Sequence, residues 1–417
     1  MENMKKQLFN SKIYPWVVVA LLWVVALLNY MDRQMLSTMK EAMQIDIAEL
    51  TTAMNFGRLM AVFLWIYGFV SPFAGAVADR ISRKWLIVVS LLVWSLVTFL
   101  MGYCSTFSQL YWLRALMGVS EALYIPAALS LIADYHTGRS RSFAIGIHMT
   151  GLYLGQALGG FGATIAENHS WQETFHGFGI IGMVYAVVLI LLLRERKNSP
   201  QPVSGEIRQT TRIPFLKGFS MILSNFSFWV ILFFFASVSL PGWGTKNWLP
   251  TLFAESLDVP MSAAGPISTI TIAVSSFLGV LIGGPLSDRW VRRNLRGRVY
   301  TSVIGLAMMI PALILVGLGK GMICAVGAGL FFGIGYGMWD TNNMPILCQF
   351  VSSRLRATAY GIMNMIGVLS GAGCTILLGK WADGGQLGVA FATLGVVTLL
   401  ALLAQLLFLK PSTDDMP

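Results

Sequence analysis

Two stretches of this chain repeat one another: Gly75-Ala-Val-Ala-Asp79-Arg80-Ile-Ser-Arg83-Lys84 and Gly284-Pro-Leu-Ser-Asp288-Arg289-Trp-Val-Arg292-Arg293. Each follows a long apolar run, and each packs an acid and several bases into a short connection. A second echo sets Arg139-Ser-Arg141-Ser-Phe-Ala144-Ile-Gly146-Ile147 against Arg354-Leu-Arg356-Ala-Thr-Ala359-Tyr-Gly361-Ile362. One G-x-x-x-D-R is a weak signal. Two motifs repeated in the same order and at matching places indicate a chain built from two equivalent halves.

The surroundings of the motifs say what the halves are made of. Of the 417 residues, 56% are hydrophobic and only 12% charged, and the mean hydropathy is +0.68. That charge content is about half of what a soluble domain carries, so the expected solvent is lipid. Apolar segments long enough to cross a bilayer recur over 15–38, 56–77, 85–103, 108–133, 142–166 and 176–193. They recur again over 221–253, 264–285, 299–318, 321–346, 357–378 and 386–409. The expected fold is all-α, with twelve transmembrane helices in two six-helix halves, 1–193 and 221–417, joined by a basic linker over 194–220. The apolar run from Tyr14 passes Leu28 without a small-residue cleavage site, which reads as an uncleaved first span.

Lysine and arginine orient the spans. With both termini in the cytoplasm, Arg80, Arg83, Lys84, Arg139, Arg141, Arg194, Arg289, Arg292, Arg293, Arg296 and Arg298 all fall on the cytoplasmic side. The opposite side has little beyond Lys40, Lys320 and Lys380. This positive-inside bias explains the net charge of +10 as topology and contact with anionic lipid. Dispersed over many short connections, these bases do not form a nucleic-acid surface. Cys104, Cys324, Cys348 and Cys374 are widely spaced and apolar in context, matching neither a disulfide set nor a metal site. No metal, nucleotide or nucleophile–base signature is present, so an enzyme is not expected, nor is a cofactor beyond a proton gradient as driving force.

Four charges lie where lipid should exclude them: Asp32 and Arg33 in the first span, Arg114 and Glu121 in the fourth. A charge at the centre of a membrane helix costs roughly 2.5–3.5 kcal/mol on insertion scales, and such residues mark ion, proton or solute paths. Parallel six-helix halves place a site between them, reached by rocking.

With these motifs the chain resembles the major facilitator superfamily over nearly its whole length. Within it, Asn29-Tyr30-Met31-Asp32-Arg33, Trp65-Ile66-Tyr67, Arg114 with Glu121-Ala122 and Pro126, and Asn247-Trp248-Leu249-Pro250-Thr251 resemble the anion:cation symporters, which import sugar acids with protons. Asn29–Arg33, Arg114, Glu121 and Tyr67 with Pro72 also resemble spinster-type lipid transporters. The resemblance implies a carrier in a bacterial inner membrane that takes up a small organic anion such as a hexonate or hexuronate. A spinster-like carrier of a lysolipid and a transporter-fold sensor are the alternatives, and a monomer is expected.

The roles expected of single residues follow. Asp32 and Glu121 carry protons. Arg33 and Arg114 hold the anion and border the central cavity with both acids. Seven residues apart, Arg114 and Glu121 stand about 10.5 Å apart along one helix face, two stations on one path. Anion and proton then assist each other reciprocally. Tyr67 offers a hydroxyl to solute; Gln156 and Asn364 are polar groups in apolar spans. Lys246 follows Pro241-Gly242-Trp243-Gly244, which is expected to break the seventh span into an outer gate, with Lys246 either drawing in the anion or snorkelling to the interface. Asp340 is an intramembrane acid with no cation in its own helix, open to pairing across to the other half or to shaping the cavity. His148 shares a face with Gly151, Gly155 and Gly159, either as a proton relay or within a close-packing stripe. The resemblance implies that Asp79 latches onto a helix N-terminus of the other half, with Arg80, Arg83, Asp288 and Arg289 completing the gate.

Overall fold

The computed structural model describes residues 13–78, 81–136, 139–195, 220–351 and 355–411. Asp79, Arg80 and most of the linker expected over 194–220 lie outside them. Among the described residues, twelve membrane-length helices make up the fold. In the first half they are α1 (Tyr14–Leu36), α2 (Ala53–Ala78), α3 (Arg83–Met101), α4 (Phe107–Tyr135), α5 (Arg139–Gly159) and α6 (Trp171–Leu192). The second half has α7 (Phe226–Leu257), α8 (Met261–Val291), α9 (Gly297–Leu318), α10 (Met322–Phe350), α11 (Arg356–Asp383) and α12 (Leu387–Phe408).

Local chemistry sets several ends. Pro15 opens α1, where a missing N–H is harmless. A capping box between Thr106 and Gln109 starts α4, and the Ser170 and Asn225 side chains cap α6 and α7. Apolar side chains such as Val184, Val187 and Leu191 of α6, and Val396, Leu400 and Leu407 of α12, point outward. Water would not tolerate so continuous an apolar girdle. Eleven of the helices are apolar enough to cross a bilayer by composition alone. The exception, α5, carries His148 and Gln156, both buried against the protein. The chain is an integral multi-pass membrane protein.

Two expectations need correction. The fifth span ends at Gly159, and a separate short helix, Gly162–Asn168, follows. The seventh is not broken: α7 runs unbroken through Pro241 and Pro250. The Thr245 hydroxyl donates to the carbonyls of Pro241 and Gly242 at 2.9 and 3.0 Å. The breaks fall elsewhere. α4 is interrupted at Leu123, ahead of Pro126, and α10 at Thr341–Asn342, ahead of Pro345. These are equivalent positions in the two halves.

The halves meet chiefly through α2 with α11 and α5 with α8. Their hydrogen bonds cluster at the end away from the chain termini. Both carboxylate oxygens of Asp383, at the end of α11, accept from the N-terminus of α2, from Ala53 N at 2.6 Å and Met54 N at 2.9 Å. The Gln34 amide donates to Lys246 O at 2.7 Å, Thr164 Oγ1 to Ser262 O at 2.9 Å, and Thr269 Oγ1 to Ala157 O at 3.1 Å. Contact here needs bare backbone: a Cβ on Gly57 would lie 2.8 Å from Thr375 O. At the termini end, Gly146 of α5 and Gly361 of α11 have open space beside them. Among the described residues, the hydrogen bonds between the halves thus lie at the end away from the termini.

Candidate functional site

Four buried charges in α1 and α4 form the first part of the site. Arg33 Nε donates to Glu121 Oε2 at 2.5 Å, and Glu121 is wholly inaccessible. The guanidinium is also enclosed by rings, with Cζ 5.0 Å from Tyr30, 4.8 Å from Phe63 and 4.7 Å from Tyr67. Such contacts strengthen when water is excluded. Arg114 is buried behind the same Phe63, 4.8 Å from its centroid, and its Nη1 donates to Met117 Sδ at 3.0 Å. Asp32 lies within electrostatic reach of Arg114, but its hydrogen bond goes elsewhere: its Oδ2 accepts from Thr98 Oγ1 of α3 at 2.7 Å, while Oδ1 has no hydrogen-bond partner.

These four residues were expected to border the central cavity. A cavity of ≈ 390 Å³ lies between the halves, and Asp32, Arg33, Arg114 and Glu121 are not in its wall. The physical reason is aromatic: Tyr30 stands in the wall with Arg33 behind it. Tyr67, expected to face the solute, lies with that second layer against Arg33.

Gln156, Lys246 and Asn364 do reach the cavity. So does Asp340, and among the described residues Lys246 and Asp340 are the charged members of its wall. Lys246 Nζ sits over the rings of Trp243 at 4.8 Å and Tyr336 at 5.6 Å, not in an ion pair. Asp340 Oδ1 accepts only a long bond from Asn343 Nδ2, 3.4 Å. Tyrosines 30, 153, 336 and 360 add hydroxyls, one from each of α1, α5, α10 and α11. Sequence reading left Asp340 unassigned, although a signal existed. Glu121 lies five residues before Pro126, and Asp340 five residues before Pro345.

Residues expected to gate the termini end are placed within their own halves. Arg83 pairs with Asp134 of α4, and Arg298 of α9 approaches Asp288 at 3.8 Å. Arg289 is exposed. His148 is fully buried, and the glycine stripe beside it packs on α1: a Cβ at Gly151 would lie 2.7 Å from Trp23 O. No group of side chains suited to a metal occurs among the described residues.

Two bundles bonded to each other at one end over a mixed polar and aromatic cavity define a membrane carrier architecture. The chain belongs to the Major Facilitator Superfamily, whose family model matches residues 22–375. It is 28% identical over 406 residues to protein spinster homolog 1 of Xenopus laevis, covering 89% of this chain and 74% of that one. It is 24% identical to the hexuronate transporter of Bacillus subtilis, covering 94% of each. A D-galactonate transporter of Escherichia coli is 22% identical, over 94% of this chain and 95% of the relative. The fold superposes on the crystal structure of a bacterial homolog to the human lysosomal transporter Spinster, in an inward-facing and unoccupied conformation. That match has a TM-score of 0.83 at 20% identity, covering 97% of this chain and 99% of the other.

Proposed function

We propose that the protein is a proton-coupled carrier that imports a small organic anion, a hexonate or hexuronate, by alternating access. The observation that carries this reading is Lys246: a cation on the wall of a sugar-sized cavity, with no carboxylate in ion-pair contact. A lysine ammonium in such a place offers a carboxylate three donors in poor competition with water. Gln156, Asn364 and the four tyrosine hydroxyls suit the hydroxyl groups of a sugar acid. Sugar-acid transporters among the relatives support the same class.

Proton coupling belongs to the layer behind Tyr30. Protonating Glu121 releases Arg33 from its buried pair, and the freed guanidinium draws a solute carboxylate towards α1. Asp32, held only through Thr98, is the second proton carrier. In this scheme the termini and the basic loops are cytoplasmic, the membrane is a bacterial inner membrane, and the cavity opens to the cytoplasm. The carrier works as a monomer, needs no cofactor and catalyses no bond-breaking step.

Uptake of labelled glucuronate and galactonate into proteoliposomes tests the reading. Accumulation should require an inward pH gradient and stop when it is dissipated; accumulation indifferent to the gradient overturns the coupling. A second reading has its own observation. Phe235, Trp339, Tyr336 and Phe332 form a continuous aromatic run along one side of the cavity, with successive centroids 5.3, 5.2 and 6.0 Å apart. That run suits an acyl chain. Transport of a lysolipid, unaffected by excess sugar acid, would establish it instead.

A further inference from the structure

The two halves place a cation and a carboxylate at matching positions. In the first half the cation is on the first helix, Arg33, and the acid on the fourth, Glu121. In the second half the cation is on α7, the first helix, and the acid on α10, the fourth. Both acids lie within two residues of the break in their helix and stand five residues before its proline. The two pairs differ in state. Arg33 and Glu121 are in contact, with Glu121 wholly inaccessible, whereas Lys246 and Asp340 face the cavity out of contact with each other.

We propose that Asp340 is a second proton-coupling residue, which takes up a proton when a solute carboxylate engages Lys246. This rests on the anion-carrier reading above and extends it to the second half. The argument is charge balance. With the cavity empty, Lys246 and Asp340 cancel. A monoanion bound at Lys246 while Arg33 is still paired with Glu121 leaves the site with one uncompensated negative charge, and an unbalanced buried charge is strongly unfavourable. One proton on Asp340 restores neutrality. The groups that face Asp340 cannot supply the missing charge: they are Lys246 on α7, already engaged, and the hydroxyls of Tyr30 on α1, Tyr153 on α5, Tyr360 on α11 and Tyr336 on its own helix. Asn343 donates to Asp340 without carrying charge. No further acid lines the cavity among the described residues.

The step is a simple exchange of partners. The solute carboxylate takes the ammonium of Lys246, and a proton from water adds to a carboxylate oxygen of Asp340. When the solute leaves, Lys246 again balances Asp340 and the proton departs. Asp340 thus ties each anion to a proton of its own, separate from the proton handled by Glu121.

The experiment is proton uptake on binding. Purified full-length protein in weak buffer with a pH-indicator dye is titrated with glucuronate and, in parallel, with galactonate. The wild type should take up about one proton more per anion bound than D340N, since linkage makes binding and protonation reciprocal. D340S removes the same carboxylate by another route and guards against one variant failing to fold; D340E should restore the wild-type uptake. Proton uptake by D340N or D340S equal to that of wild type overturns the proposal while leaving anion transport intact. Absence of binding of either anion by the wild type overturns the anion-carrier reading itself, and the assignment of Asp340 with it.

Discussion

Gln34 donates its side-chain amide to the backbone carbonyl of Lys246, 2.7 Å away on the opposite half. That carbonyl is free because Pro250, four residues on, has no N–H to offer it. The same device recurs on α8: Pro266 leaves the carbonyl of Ser262 unbonded within its helix, and Thr164 donates to it at 2.9 Å. Two prolines thus create the acceptors by which the second half docks on the first. A proline at each place would read as a helix defect; here each freed acceptor is satisfied from across the interface.

Removing these donors should weaken the docked end. A hydrogen bond contributes about 0.5–1.5 kcal/mol net, so Q34A and T164V together should shift the balance towards the opposite opening by roughly 5- to 150-fold. Spin labels at positions 146 and 361, at the termini end, should report a shorter mean separation in the double variant. An unchanged distance distribution would refute the role given to these bonds.

A steric variant should act in the same direction. In G57V the new side chain meets the Thr375 carbonyl, to which a Cβ would already come within 2.8 Å. Overpacking of this kind costs roughly 1–3 kcal/mol, and it is felt only when α2 and α11 are docked. Solute exchange should slow at least tenfold in proteoliposomes while the protein remains monodisperse. Wild-type exchange would show that this end does not close so tightly in the working cycle.

Lys246 should govern affinity for anions alone. Replacing it in K246Q removes a charge-assisted bond worth about 1.5–3 kcal/mol, so glucuronate should bind roughly 10- to 150-fold more weakly by calorimetry. K246R, with its charge kept but its geometry changed, should fall between. Equal loss for glucose and glucuronate would mean that the lysine shapes the cavity and does not read charge.

Glu121 and Asp32 should separate transport from its driving force. In E121Q the proton station is lost while a polar side chain remains beside Arg33; in D32N the acceptor of Thr98 is kept. Both should retain some solute exchange and lose accumulation driven by a pH gradient. Because wild-type uptake consumes protons from the outer medium, its rate should rise as outer pH falls, and this slope should flatten in each variant. Active accumulation persisting in both would end the coupling scheme.

The fold was legible because its signals are long-range and redundant: apolar length, basic loops on one side, and motifs repeated in register. The site was legible only in part. Residue type identified Asp32, Arg33, Arg114 and Glu121 as charges needing partners, but not which partner each would take. Arg33 pairs with Glu121, and Asp32 with Thr98, because side-chain direction on three packed helices decides it, and sequence spacing along one helix does not. The Pro241–Gly244 stretch leads local rules to expect a break in α7 because they count lost helix bonds; the helix runs on, and the carbonyl that Pro250 frees is taken by Gln34 across the interface. Asp340 stays unassigned in the sequence because the nearest cation in the cavity wall, Lys246, lies on a different helix nearly a hundred residues earlier.

The contact between Lys246 and Trp243 has an optical consequence. An ammonium 4.8 Å from an indole centroid perturbs its excited state, and a carboxylate arriving at that ammonium changes the perturbation. The site therefore carries its own fluorophore. Among thirteen tryptophans, the one that responds is identified by difference: an emission change on adding glucuronate that vanishes in W243F gives the occupancy of the cavity in real time, with no label attached.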